Sequence, residues 1–372
     1  MTGISQPGGI SRAEASATYA SMVTPAAYAP YAGINGYDQR ANTYNLKPKH
    51  LLRTRSALAH AAAGTGLCNI AFCGDSTTAG YPAVPGLSTY PDWVQRMLAT
   101  QGYPSAGNLC SAYKNTGIDS RVTFAGAWAA FADSTIMDNS TDTAALTFAF
   151  TTASTYVRVF HADIAGSSFT VTIDGGAPAT VTAAGTNNPA SWTSGVLASA
   201  NHTVVINRVG GGVYIAGVET LTSLTTGVRI FDSGVGQSAI AFWDSIGTNG
   251  PSQFVTTSTG FPADLIVLMT IVNDDLTPTA TYLASLLSVI TKLKASGSDI
   301  ILGTCWPTTG STNLLDRIAA VYQAADTNDL PVMDFYDRQT GVWRTDLMTD
   351  PVHPNVAGYN AYARQLVAAL LS

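Results

Sequence analysis

The chain has 372 residues, of which 46% are hydrophobic and 11% charged, and its formal net charge is −6. That is more chain than one hydrophobic core usually organises, so two or three domains are expected. The 18 Lys and Arg residues are scattered, and no apolar run approaches the about 20 residues of a membrane span, which argues against a nucleic-acid surface and against a spanning helix.

Residues 1–60 read as an N-terminal arm. Ser11 and Glu14 have capping-box spacing and open a short Ala-rich stretch that runs to about Met22. A Pro-, Tyr- and Gly-rich segment follows, and a short helix is expected over 48–63, with Leu51, Leu52 and Leu58 apolar. No basic region followed by an apolar stretch opens the chain, so no secretory leader is expected. Residues 68–73 are a short apolar run ending in Gly74-Asp75-Ser76, the pattern of a buried strand running into a turn. Residues 91–101 have helical spacing, with Trp93, Val94, Met97 and Leu98 on one face.

From about residue 121 to 226 the pattern changes to short alternating segments at 146–150, 156–160, 169–173, 203–206 and 213–217. Turn signals such as Asp174-Gly175-Gly176 and Gly210-Gly211-Gly212 separate them, as in an antiparallel β-sandwich. Strands then alternate with helices: strands at 228–232, 264–269, 299–304 and 331–335, helices at 279–295, 313–325 and 355–371. That rhythm predicts an α/β fold with a doubly wound parallel sheet. The expected organisation is an arm over 1–60, an α/β domain made of 61–120 and 227–372, and a β-sandwich inserted over 121–226, jelly-roll-like or carbohydrate-binding-like.

Cys68, Cys73, Cys110 and Cys305 include no C-x-x-C pair. Buried thiols are the expectation, with a Cys68–Cys110 bridge as the open alternative. No His/Cys ligand spacing is present, so no metal is expected.

Four places carry residues suited to chemistry. Ser76 follows the first strand of the α/β part, where the carboxyl ends of parallel strands gather reactive groups. Serine needs a base to become a nucleophile, and His353 offers one; Asp350, three residues earlier, suits the second ring nitrogen. Asn273, in Val272-Asn273-Asp274-Asp275 after the strand at 264–269, carries an amide that suits a developing oxyanion. Gly236 and Gly234, in the run 233–238, would let backbone N–H approach a substrate oxygen. Each signal also has a plain reading as turn chemistry; their convergence on one sheet edge sets them apart.

The combination resembles the SGNH hydrolase family, also called GDSL-like esterases and lipases. Gly74-Asp75-Ser76 matches its first motif, Gly236 its second, Asn273 its third, and Asp350 with His353 its final D-x-x-H. The resemblance covers about 48–112 and 227–371. It implies a flavodoxin-like sheet and a serine esterase without a cofactor, with Ser76, His353 and Asp350 as triad. Ser76, Gly236 (or Gly234) and Asn273 would form the oxyanion hole, and Asp75 and Val352 would lie against the substrate. The chain departs from the pattern at Phe231, where the second motif usually has Asn, and at Ile271, where the third usually has Gly.

Some members that deacetylate polysaccharides or peptidoglycan resemble this layout, with a β-sandwich between the first two motifs. The substrate class implied is an acyl ester, acetyl above all, on a cell-surface or cell-wall carbohydrate. A lipid ester and a glycan-binding module on a retired esterase scaffold are the rival readings. In the insert, Trp128 and Trp192 could stack on a sugar or fill the core, His161 and Asp163 read as turn or surface residues with sugar contact as the alternative, and His202 is unremarkable. The arm and the 13 Arg against 5 Lys resemble actinobacterial-phage minor tail proteins that carry such domains. That resemblance implies a virion protein acting at the host surface, with attachment or homo-oligomer assembly through residues 1–60; otherwise a cytoplasmic protein is expected.

Overall fold

The computed structural model describes residues 43–82, 88–112, 119–130, 136–140, 144–244, 251–257, 259–338 and 344–372. The Ala-rich stretch after Ser11 and most of the arm lie outside the described residues. The chain passes through β1 (Thr43–Tyr44), a 3-10 turn at Pro48–Leu51, α1 (Leu52–Ala62), β2 (Leu67–Gly74), the one-turn helix α2 (Ser76–Ala79) and α3 (Tyr90–Thr100). Strands alone follow among the described residues: β3 (Gly107–Ser111), β4 (Val122–Ala125), β5 (Ala129–Ala130), β6 (Met137–Asn139), β7 (Ala145–Ala149), β8 (Tyr156–Ala162), β9 (Ser168–Ile173), β10 (Ala179–Thr182), β11 (Pro189–Thr193), β12 (Thr203–Gly210) and β13 (Val213–Leu221). The last part is β14 (Gly227–Gly234), α4 (Ile240–Asp244), α5 (Pro251–Thr256), β15 (Leu265–Met269), α6 (Thr279–Lys294), β16 (Asp299–Gly303), α7 (Leu314–Asn328), β17 (Val332–Met333), α8 (Phe335–Arg338) and α9 (Val356–Leu371).

One mixed sheet runs β1-β17-β16-β15-β2-β14, parallel throughout except for β1, which pairs antiparallel with β17. Its central strands are apolar almost without interruption, as strands covered on both faces must be. Alternate residues separate into two cores. Ala71 and Cys73 share one cluster with Leu286 and Ile290 of α6 and with Ile318 and Val321 of α7. Ile70 and Phe72 share the other with Leu58 of α1, Val94 and Leu98 of α3, and Tyr362 and Leu366 of α9.

Two antiparallel sheets, β10-β9-β12-β7-β4 and β11-β8-β13-β6-β5 with β3 also on β13, share a third core. Phe148, Phe169, Val171 and Ile206 enter it from one sheet, and Val157, Val159 and Ile215 from the other. A buried ion pair ties this part to the parallel sheet: Arg229 Nε on β14 donates to Glu219 Oε1 on β13 at 2.9 Å, and a second guanidinium N–H reaches Oε2. Both residues are within a few per cent of full burial.

Several expectations change. Leu52, the first residue of α1, is 63% exposed, while Leu51 at the end of the 3-10 turn and Leu58 are buried. Residues 43–60, read with the arm, pack on the parallel sheet through β1 and α1. β3, read with the α/β part, pairs instead with β13. The four cysteines, by contrast, are free and buried as expected, without the alternative Cys68–Cys110 bridge. Trp128 is 7% exposed within the third core, and Trp192 packs against it. His161, expected at a turn or on the surface, is buried edge-on to Phe169 at 5.2 Å. Asp163 is also buried and organises a loop by accepting from the Ala184 and Thr186 N–H groups. His202 is buried between the Asp174 carboxylate and the Ser154 carbonyl. No described helix is long and apolar enough to cross a membrane.

Candidate active site

In order of sequence, the parallel strands start at β2, place β14 on one side and β15 on the other, and so reverse direction of addition at β2. A crevice beyond the carboxyl ends of strands forms where the order reverses. Ser76 lies there. Strand β2 stops at Gly74, and Asp75 caps the next turn: its Oδ1 accepts from Thr77 N at 2.9 Å and from Thr77 Oγ1 at 2.6 Å. The cap makes Ser76 the first helical residue of α2. Its N–H therefore has no acceptor within that helix.

Gly74 is required by close approach. A Cβ there would stand 2.1 Å from Thr78 Oγ1 and 2.4 Å from the Met269 carbonyl oxygen. The glycine lets α2 fold back tightly over the end of the sheet.

The loop after α8 brings the histidine to the serine. Thr349 N–H donates to the His353 carbonyl at 2.8 Å and Asn355 N–H to the Leu347 carbonyl at 2.9 Å, which closes the loop. Asn355 then caps α9 by accepting from Gly358 N–H. His353 Nε2 lies 2.8 Å from Ser76 Oγ. His353 Nδ1 lies 2.8 Å from Asp350 Oδ2 and 3.0 Å from Oδ1. Asp350 Oδ1 also accepts from the N–H groups of Val352 and His353, each at 2.8 Å. Partial burial works against the charged carboxylate, but these two N–H donors and the His353 ring outweigh it and hold Asp350 below the usual carboxylate range. An anionic Asp350 fixes the proton of a neutral imidazole on Nδ1 and leaves Nε2 as acceptor for the serine hydroxyl.

Two loops flank this arrangement. Register sets Gly234 and Met269 beside Gly74, so the segments after β14 and after β15 leave the sheet at the level of Ser76. Gly74 O accepts from Val235 N–H at 2.9 Å and from Ser238 Oγ at 3.3 Å. Asn273 Nδ2 donates to the Ser238 carbonyl at 3.0 Å and joins the two loops. Beneath it, the Asp274 carboxylate accepts from Ile240 N–H at 2.9 Å, and the buried Arg317 Nε donates to the Asp274 carbonyl at 2.9 Å.

Two expected site residues, Gly234 and Asp75, are engaged within the fold. Gly234 N–H is engaged by Asp232 Oδ1 at 3.0 Å, and a Cβ at Gly234 would stand 2.1 Å from Ala79 N. Its glycine serves packing against α2, so it does not offer an oxyanion donor. Asp75 is 1% exposed, with its carboxylate turned inward to Thr77 and Ile271 N–H rather than to a substrate. Burial pushes its carboxyl up against those donors. Val352, expected against the substrate, contributes its N–H to Asp350 and is half-buried. Gly236 is buried just beyond β14.

The two departures from the motif have physical uses. Phe231 is 4% exposed and fills space between Phe160 and Phe261, at ring distances of 5.3 and 4.9 Å. Ile271 is 2% exposed, and its N–H reaches Asp75 Oδ2 at 3.4 Å.

Tyr81 also belongs to the site, without any motif in the sequence to mark it. Its ring meets the His353 ring edge to face, with centroids 4.8 Å apart. Its place five residues after Ser76 was visible in the sequence, but its neighbour was not. Among the described residues, no group of three or more His, Cys, Asp or Glu side chains is placed to hold a metal ion.

No protein-family model matches the chain, and no curated protein matches it. Solved structures that it resembles include a family two carbohydrate esterase from Cellvibrio japonicus, at 12% identity over 72% of this chain and 99% of that one, with a TM-score of 0.28. A two-domain esterase active on acetylated mannans is 13% identical over 86% of this chain and 52% of that one, with a TM-score of 0.43. A mutant acetyl-xylooligosaccharide esterase from Geobacillus is 19% identical over 39% and 73% of the two chains, with a TM-score of 0.32.

Proposed function

We propose that the protein is a serine ester hydrolase of the SGNH type that removes an acyl group, an acetyl above all, from a carbohydrate. The observation that carries this reading is the unbroken line of contacts from Ser76 Oγ through the His353 ring to the Asp350 carboxylate. The order of the parallel strands is read as flavodoxin-like, with the antiparallel sheets inserted between β2 and β14.

Ser76 Oγ attacks the ester carbonyl while His353 Nε2 takes its proton. The imidazolium that forms is stabilised by Asp350. Negative charge developing on the carbonyl oxygen is met by the Ser76 N–H, by Gly236 beyond β14, and by the Asn273 amide. That amide carries two N–H donors, of which one is given to Ser238. Collapse of the tetrahedral intermediate expels the alcohol, which takes the proton from His353. Water, deprotonated by the same imidazole, then releases the acid from the acyl-serine. Asp75 and Gly74 act on the fold of the turn and not on the substrate.

The carbohydrate assignment rests on layout: the antiparallel sheets fall between Ser76 and Gly236, as they do in SGNH esterases that deacetylate polysaccharides. The test is hydrolysis of 4-nitrophenyl acetate by wild type, Ser76→Ala and His353→Ala, followed by acetate release from acetylated oligosaccharides. Turnover by wild type alone is the expected result. Equal turnover by Ser76→Ala would overturn the reading.

A further inference from the structure

We propose that Tyr81 is a positioning residue for His353, an inference that rests on the reading of Ser76 and His353 as nucleophile and base. The hydrogen bond from Nδ1 to Asp350 fixes one corner of the imidazole but leaves the ring free to swing about that axis. A swing carries Nε2 away from Ser76 Oγ. The Tyr81 ring stands against the imidazole at 4.8 Å, with the two planes at 73°, and blocks that swing.

The blocking ring is itself anchored at both ends of its residue. Tyr81 N–H donates to the Ser76 carbonyl at 3.0 Å, so the ring's position is referred to the nucleophile. Tyr81 O accepts from the Tyr359 hydroxyl at 2.5 Å. Tyr359 is fully buried on α9, the helix that begins directly after the histidine loop. Tyr81 thus couples the turn that carries Ser76 to the loop that carries His353. Tyr81 as a residue is 36% exposed, so it can be replaced without opening a sealed core.

Misplacing a reacting group by a fraction of an ångström lowers kcat more than KM, because binding persists while the productive geometry is lost. The experiment measures kcat and KM for 4-nitrophenyl acetate with wild type, Tyr81→Phe, Tyr81→Ala and Tyr81→Leu. Tyr81→Ala and Tyr81→Leu should lower kcat by about tenfold, the scale of one aromatic contact, with KM little changed. Tyr81→Phe, which keeps the ring, should restore most of the rate. Wild-type kcat in Tyr81→Leu, or a loss carried by KM alone, would overturn the proposal.

A second readout is independent of activity. In a Ser76→Ala background, the carbon-bound ring protons of His353 should carry a ring-current shift in NMR spectra. That shift should vanish in Tyr81→Leu and persist in Tyr81→Phe. If the wild-type protein hydrolyses no ester, the proposed function fails while this arm still decides on Tyr81: unchanged His353 signals in Tyr81→Leu refute the contact.

Discussion

Ser76 Oγ and His353 Nε2 lie 2.8 Å apart across 277 residues of chain. Neither residue reaches that position through its own loop alone. Asp75 starts a helix at Ser76, and the Asn355 cap with its loop hydrogen bonds fixes the path of residues 347–355. The parallel sheet between them turns two local choices into one site.

In the proposed triad, Asp350 also ties the stability of the fold to pH. Its folded pKa is depressed, so the stability it contributes is present above the unfolded value of about 4 and is lost as pH falls below it. The wild-type melting temperature should therefore fall as pH drops below about 4, and by less in Asp350→Asn, which calorimetry across pH will check. Asp350→Asn should lower kcat at every pH by removing the anion that stabilises the imidazolium.

Asn273→Ala should lower kcat by about 10²–10³, the usual cost of one oxyanion donor. The same side chain also braces the Ser238 carbonyl, so melting temperature must be recorded beside the rate. A fall in melting temperature with kcat intact would make Asn273 a loop strap and nothing more.

Gly74→Ala places a methyl within 2.4 Å of the Met269 carbonyl oxygen, an atom of the neighbouring strand. Relief requires backbone movement at the centre of the sheet. A loss of about 1–3 kcal/mol or more is expected, and urea midpoints will measure it.

Glu219→Gln leaves Arg229 buried without its counter-charge between β13 and β14. Breaking one partner of such a pair costs about 3–5 kcal/mol. The expected result is a much lower melting temperature, with residual enzyme retaining its kcat because the pair does not touch Ser76 or His353.

The legible parts of this chain were the ones written locally. The apolar run before Gly74, the helical spacing of 279–295 and the alternation at 169–173 each carry their period within a few residues. Asp350 and His353 were legible as a pair because three residues separate them. The contacts that sequence left dark are those between distant segments. Thr43 pairs with Met333, Phe231 fills space against Phe160 and Phe261, and Tyr81 meets His353, none of which has a periodic signature. Asp75 was visible as a polar neighbour of Ser76, but the direction of its carboxylate depends on the cap geometry at Thr77. Gly234 was ambiguous for the same reason: a glycine that admits a substrate and one that admits a helix are the same letter.

The central claim is that Ser76 is a nucleophile made reactive by His353. The most direct measurement is covalent labelling with a fluorophosphonate, read by peptide mass spectrometry, because it needs no knowledge of the natural ester. A single adduct on Ser76 is expected in wild type, strongly reduced in His353→Ala. Absence of an adduct on Ser76, or equal labelling in His353→Ala, would contradict it.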